Sequence, residues 1–349
     1  MRPELTRIEP VFVPRIWGVR SLAPLYPEKS NMSEPIGEVW LTGIDCRIVS
    51  GPFLGKTLGE AWREMKTLWR GTLLKNVDDF PILVKFIFPS DKLSIQVHPD
   101  DVYAAAHEAA AGGRGKTEMW HVISATTGAQ VLVGLKPGTD KEKFLGGLAQ
   151  RTLENLFEVY PVRTGDTFFV PAGTPHTIGP NMVVFEVQEY SDLTYRLYDY
   201  DRVDAQGNPR TLHVAKALEV VKFGAIKGGR VPALELSATG LKKELLAGCR
   251  YFVAERWEFS KPTELYTNAE HFNILIFLSG EGEIEAENQR VRYHQGEVWF
   301  VPACISSPKV IPGKPTTFLR AYVADMEDFK SNLLDEGFDA ASIAQTIFE

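Results

Sequence analysis

Short apolar runs bounded by turn residues recur through the first half of the chain: PILVKFIF at 81–88, KLSIQVH at 92–98, AQVLVGL at 129–135, DTFFVPA at 166–172 and MVVFEVQEY at 182–190. Their length and their Val, Ile, Phe and Tyr content predict strands. An apolar period near 3.6 is confined to stretches near 58–74, near 141–160, at 213–223 and over 325–338, which predict helices that decorate a strand scaffold. After residue 225 a second strand-rich block begins, with runs at 244–260, 271–287, 289–303 and 316–326. The segment RVDAQGNPRTLHVAKALEVVKF, with Gly207, Asn208 and Pro209 ahead of a short helical pattern, reads as the connector. The expected organisation is mainly β: one domain over 1–212, a helical connector at 213–230 and a second domain over 231–349.

GDTFFVPAGTPH at 165–176 and GEVWFVPACISS at 296–307 share a glycine, an acidic residue, an apolar run and Val-Pro-Ala at matching spacing. Such an echo points to duplication. The first copy ends in His176 and the second in Ser307, so a site that needs this histidine exists only in the first half.

Composition narrows the class. A chain of 349 residues with 44% hydrophobic and 24% charged residues is that of a globular protein large enough for two cores. Its net charge of −7 gives no general grip on nucleic acid or anionic lipid, so any anionic ligand needs a local basic cluster. No run approaches a membrane span, and MRPELTRIEP lacks the apolar core of a signal peptide, so neither nucleic acid nor membrane is an expected partner and the expected location is cytoplasmic. Cys46, Cys249 and Cys304 are odd in number and widely spaced, which argues for reduced, structural thiols.

Candidate chemistry concentrates in the first half. Gln96 and His98 lie two apart in a strand and share a face. Glu118 follows in GKTEMW, and His176 follows the Pro-Gly turn of VPAGTPHTI. Two imidazoles, a carboxylate and an amide oxygen suit one divalent ion, Zn²⁺, Fe²⁺, Mn²⁺ or Co²⁺, with positions left for substrate oxygens. An isolated histidine beside proline is more often structural, and it is the ordered combination that points to a metal. His107, His121, His213, His271 and His294 fall outside these elements and are assigned structural or surface roles. Lys85, inside an apolar strand, requires an anionic partner, and Ser94 shares the strand face of Gln96 and His98.

QVHPDD, the GKTE block, PAGTPH and SDLTYRLYDYDR, in this order and together with Trp17-Gly18 and IGEVW at 36–40, resemble the type I mannose-6-phosphate isomerases of the cupin superfamily in their short bacterial form. The resemblance covers the first 210 residues closely and the second half loosely. It implies two cupin jelly rolls with inserted helices, the second degenerate, and a metal-dependent aldose-ketose isomerase interconverting D-mannose 6-phosphate and D-fructose 6-phosphate through an enediol. It implies Gln96, His98, Glu118 and His176 as ligands of one ion, zinc first, and Arg196, Glu186 and Lys116 as catalytic. Trp17, Glu38, Lys85 and Ser94 would bind substrate, a small phosphosugar, in a monomer or homodimer. Many members read His-Lys-Pro-Glu where this chain has Gly115, Lys116, Thr117 and Glu118, so a mechanism that uses that extra histidine as base is not available here. Two rivals remain: a non-haem iron cupin oxidoreductase, against which Gln96 speaks because it fills a position that chemistry keeps open, and a non-enzymatic sugar-binding cupin.

Overall fold

The computed structural model describes residues 2–349 apart from 205, 225, 227 and 288. The strands of the first half are β1 (Thr6–Glu9), β2 (Val11–Val19), β3 (Ile36–Trp40), β4 (Arg47–Ile48), β5 (Ile82–Ile87), β6 (Ile95–Val97), β7 (Glu118–Ala125), β8 (Gln130–Leu135), β9 (Phe157–Pro161), β10 (Thr167–Val170), β11 (His176–Ile178), β12 (Met182–Glu189) and β13 (Tyr195–Tyr198). Those of the second are β14 (Gly229–Val231), β15 (Leu234–Glu235), β16 (Leu241–Cys249), β17 (Phe252–Phe259), β18 (Thr263–Glu264), β19 (Asn273–Ser279), β20 (Glu281–Ala286), β21 (Gln289–His294), β22 (Val298–Val301), β23 (Lys309–Pro312) and β24 (Thr316–Tyr322). The helices are α1 (Leu58–Glu64), α2 (Thr67–Arg70), α3 (Asp101–His107), α4 (Lys141–Ala149), α5 (Val214–Val220), α6 (Met326–Asp335) and α7 (Ala340–Thr346).

Each half forms a jelly roll of one large and one small antiparallel sheet, the cupin architecture expected. In the first, the order β14-β10-β7-β12-β5-β3-β2 faces β13-β6-β11-β8-β9; in the second, β15-β16-β17-β24-β19-β22-β1-β4 faces β18-β23-β20-β21. The halves exchange edge strands. β1 leaves the N-terminus to pair with β22, and β14 leaves the connector to pair with β10, so sheet membership crosses the sequence boundaries at both places.

The two large sheets pack back to back. Val84, Phe86, Phe185 and Val187 of the first share one core with Leu246, Ala254, Ile276 and Leu319 of the second. Both faces of β5 are therefore buried, which is why 81–88 reads as a continuous apolar run rather than an alternating one. On β6 the alternation is clean: Ile95 and Val97 face outward into a core with Phe144, Phe157 and Leu197, which turns Ser94, Gln96 and His98 toward the space between the sheets.

Two predicted helices differ from expectation. The stretch near 58–74 breaks at Met65, and Arg70 of α2 reaches back to the carbonyl of Trp62, closing the first helix end. The second piece docks on the other half through backbone bonds from Ala303 and Cys304 to the carbonyls of Trp69 and Leu68, and from Leu73 to Glu270. The stretch near 141–160 is α-helical only through Ala149, followed by one 3₁₀ turn at Leu153–Leu156. Its last residues form β9, because pairing with β8 outweighs local helical preference. α7, which closes the C-terminal end, adds a helix beyond the one expected at 325–338.

Candidate metal centre and active site

Three of the four expected ligands come from the small sheet of the first half and one from the large sheet, so the site sits where the two sheets face each other. His176 of β11 stands directly opposite Gln96 of β6, while Glu118 opens β7. Ligand atoms of His98, Glu118 and His176 all lie within 4.8 Å of one another, and all three residues are fully buried.

The imidazoles are locked in one tautomer. His98 donates its Nδ1 proton to the carbonyl of Leu193 at 2.8 Å, and His176 donates its own to the carbonyl of Thr174 at 2.8 Å, so both Nε2 lone pairs point into the site. Burial first, then the Lys116 charge, pushes His98 well below its ordinary value and His176 down to about 3, so both are neutral donors at neutral pH. Glu118 Oε1 is buried without a hydrogen-bond donor and lies 3.3 Å from His176 Nε2: two acceptors face each other, an arrangement a divalent cation satisfies. Gln96 lies beside these three, its amide nitrogen 3.3 Å from the same His176 nitrogen. The donor set fits a divalent ion.

Behind the ligands runs a row of buried charge. Lys116 Nζ lies 3.0 Å from His98 Nε2 and 2.5 Å from Glu118 Oε2, and 3.7 Å from Glu186 Oε1. In register across three strands, Lys85 stands opposite Glu186 and Glu186 opposite Trp120. Lys85 Nζ is 3.0 Å from Glu186 Oε1, and Trp120 Nε1 donates to Glu186 Oε2 at 3.1 Å. Burial would neutralise Lys85, but the Glu186 and Glu38 carboxylates hold it charged. Its required anion is thus Glu186 in the first place.

Comparison with known proteins agrees with this geometry. The chain matches the family model "Phosphomannose isomerase type I, catalytic domain" over residues 5–127 and "Mannose-6-phosphate isomerase, cupin domain" over 242–314. It is 34% identical over 308 residues to the mannose-6-phosphate isomerase of Streptococcus mutans, covering 86% of this chain and 94% of that protein. It is 33% identical to mannose-6-phosphate isomerase ManA of Bacillus subtilis, at 86% and 94% coverage. The crystal structure of a mannose 6-phosphate isomerase from Bacillus subtilis superposes with a TM-score of 0.82 at 29% identity, over 92% of this chain and 99% of that one. The chain belongs to the type I mannose-6-phosphate isomerase family. It is a metal-dependent isomerase of the cupin class, with His98, Glu118 and His176 as its candidate metal cluster.

The other residues expected at the site surround that cluster unevenly. Ser94, buried, has its hydroxyl 3.5 Å from Gln96 Oε1 and accepts from Arg196 Nε at 3.3 Å. Arg196 also donates to the Thr211 carbonyl at 2.9 Å and has no carboxylate partner among the described residues. Asp199, the nearby acid that could have claimed it, is held by Arg202 and Arg210 instead. Trp17 is buried in the barrel core, its ring against Gly37 so closely that a Cβ there would lie 2.6 Å from it. It packs there with Ile87 and Trp120.

Glu38, buried, accepts from Trp40 Nε1 at 2.8 Å and from Arg15 Nη2 at 2.9 Å. Burial works to raise it, yet Lys85, Arg15 and these bonds bring it down to about 2, so it is ionised. Arg15 and Trp120 had no signal in the sequence beyond lying on strands. Arg15 could have been found as the one cation of β2 on the face of Glu38, and Trp120 from its alternation with Glu118.

Proposed function

We propose that this chain interconverts D-mannose 6-phosphate and D-fructose 6-phosphate at one site in its first half, with Gln96, His98, Glu118 and His176 holding one divalent ion, zinc by its fit to a mixed nitrogen and oxygen set. The division into a catalytic unit over 1–212, a connector over 213–230 and a second unit over 231–349 is part of the same proposal. The observation that carries it is the donorless Glu118 oxygen facing the lone pair of His176 beside a Lys-Glu-Lys row.

Bound there, the ion supplies Lewis-acid polarisation of the sugar carbonyl, worth several kcal/mol against developing negative charge. The protein's own groups do the rest. Glu186, pinned by Lys85 and Trp120, is oriented to take the proton from C2 or C1. Lys116, between Glu186 and Glu118, is placed to hold a proton at the oxygen that gains charge. Arg196, free of a carboxylate, offers its planar fork to the phosphate or to the enediolate. Glu186 and Lys116 are buried between the two sheets.

The test is incubation with mannose 6-phosphate in D₂O, followed by proton NMR, beside a chelated sample. The reading expects fructose 6-phosphate with deuterium at C1, and none after chelation. Absence of ketose from folded, metal-loaded protein would overturn it.

A further inference from the structure

The strand registers of the two jelly rolls superpose residue by residue, and the second carries the charge row of the first with its signs reversed. Glu186 stands opposite Lys85 on one side and Trp120 on the other; Arg320 stands opposite Glu255 and Leu275 in the same relation. Trp120 and Leu275 face Phe168 and Trp299 at matching positions of the echoed GDTFFVPA and GEVWFVPA segments, which fixes the equivalence. Counting back along β7 and β19, Glu118 corresponds to Asn273 and Lys116 to His271. Glu38, opposite Ile87, corresponds to Lys243, opposite Trp257.

The result is Lys243, Glu255 and Arg320 where the first half has Glu38, Lys85 and Glu186. Arg320 Nη1 lies 3.2 Å from Glu255 Oε2, and Lys243 Nζ lies 3.6 Å from Glu255 Oε1. Asn273 stands where the first half has the Glu118 carboxylate, and its amide oxygen accepts from Arg320 Nε at 2.8 Å, so this position offers no charged ligand. Ser307, the sequence counterpart of His176, lies on the turn before β23 with φ +47°. A cavity of about 190 Å³ opens beside these residues, lined by Lys243, Glu255, His271, Arg320 and Tyr322, on the scale of one small ring-sized ligand.

His271 and Lys243 keep hydrogen-bonding capacity there. His271 donates Nδ1 to the Phe272 carbonyl at 3.0 Å, which leaves Nε2 as an acceptor, and Lys243, 5.0 Å over the Trp257 ring, has only a 3.6 Å contact to the Glu255 carboxylate. At the rim Tyr266 is 81% exposed, an aromatic face with no partner in the fold to explain it. Glu270, Asp325, Asp328 and Glu336 also border the opening, so with Glu255 five carboxylates face two cations there, and a phosphate is repelled. What fits is neutral, rich in hydroxyls that both donate and accept, and apolar on one ring face.

We propose that the second cupin holds a metal-independent binding site for a neutral monosaccharide, with Tyr266 under the ring and Lys243 and His271 on its hydroxyls. The site is separate from the isomerase centre and discriminates against the phosphate that centre is proposed to accept.

Saturation-transfer NMR with ~10 mM D-mannose, a weak-binding regime, tests this on the full chain with metal and after chelation. Transfer is expected in both samples, to fall about tenfold in Tyr266→Ala and in Lys243→Met, and to survive in Arg196→Ala. Tyr266→Ala, altered only at an exposed side chain, is expected to keep its melting temperature and its isomerase rate within about twofold. No transfer at all, transfer lost on chelation or in Arg196→Ala, or transfer undiminished in Tyr266→Ala would each overturn the proposal.

Discussion

His98 gives its Nδ1 proton to the carbonyl of Leu193, 95 residues on, and so is fixed with its Nε2 lone pair toward Glu118 before any ion arrives. Preorganised neutral imidazoles bind a cation without the cost of choosing a tautomer or losing a proton. Affinity then depends heavily on the one ligand that carries charge. Glu118→Gln keeps the shape and removes the charge. It is expected to weaken metal binding by more than ~100-fold, in a titration against a chromophoric chelator, while the circular dichroism of the fold is retained. Unchanged affinity would remove Glu118 from the ligand set.

Arg196 stands apart from the ion pairs around it. It is half buried and has no carboxylate partner among the described residues, since Arg202 and Arg210 satisfy Asp199. Arg196→Ala should therefore lower kcat/KM by about 100- to 1,000-fold while leaving the urea midpoint nearly unchanged. If the variant instead unfolds early and turns over normally, Arg196 is a structural brace.

Much of this site was legible in the sequence because alternation is a local property. Ser94, Gln96 and His98 share a face whatever the rest of the chain does, and the echo of 165–176 in 296–307 marked the duplication with its missing histidine. What stayed hidden depends on distant partners. Phe157–Pro161 carries helical periodicity yet pairs with β8, β1 is claimed by a strand almost 300 residues away, and Asp199 chose Arg202 and Arg210 over Arg196. No spacing rule encodes those choices, because each is settled by which surface the folded chain brings near. The inverted charge row at Lys243, Glu255 and Arg320 was hidden for the same reason: it becomes visible only when cross-strand registers replace sequence order.

Glu189 gives the fold a pH dependence. Its carboxyl is buried, and burial together with the charge of Asp101 pushes it up to about 8. The unfolded chain ionises such a group near ~4.3, so between the two values the folded state holds more protons. Its contribution is complete below the lower value and is lost as pH rises through the upper one. Glu189→Gln keeps an oxygen to accept from Thr117 N, now 2.7 Å away, and cannot ionise. Urea midpoints measured from ~pH 5 to ~pH 9 should fall toward the alkaline end in the parent chain and much less in the variant. Parallel curves would contradict the assignment.

Gly71 tests how the halves are joined. It ends α2 at φ +97° and ψ +163°, a region closed to side chains, and a Cβ there would lie 2.1 Å from the carbonyl oxygen of Glu270 in the other half. Gly55 has a similar φ of +88° with nothing within 4 Å. Gly55→Ala therefore measures backbone strain alone, about 1 to 2 kcal/mol, whereas Gly71→Ala adds an overlap that only separation of α2 from the second half relieves. The expected loss for Gly71→Ala is more than ~3 kcal/mol by urea denaturation, accompanied by faster amide exchange at Leu73 and Phe272, whose N–H groups bond across that junction. Equal losses for the two variants would mean that the segment around α2 yields freely and does not lock the two jelly rolls together.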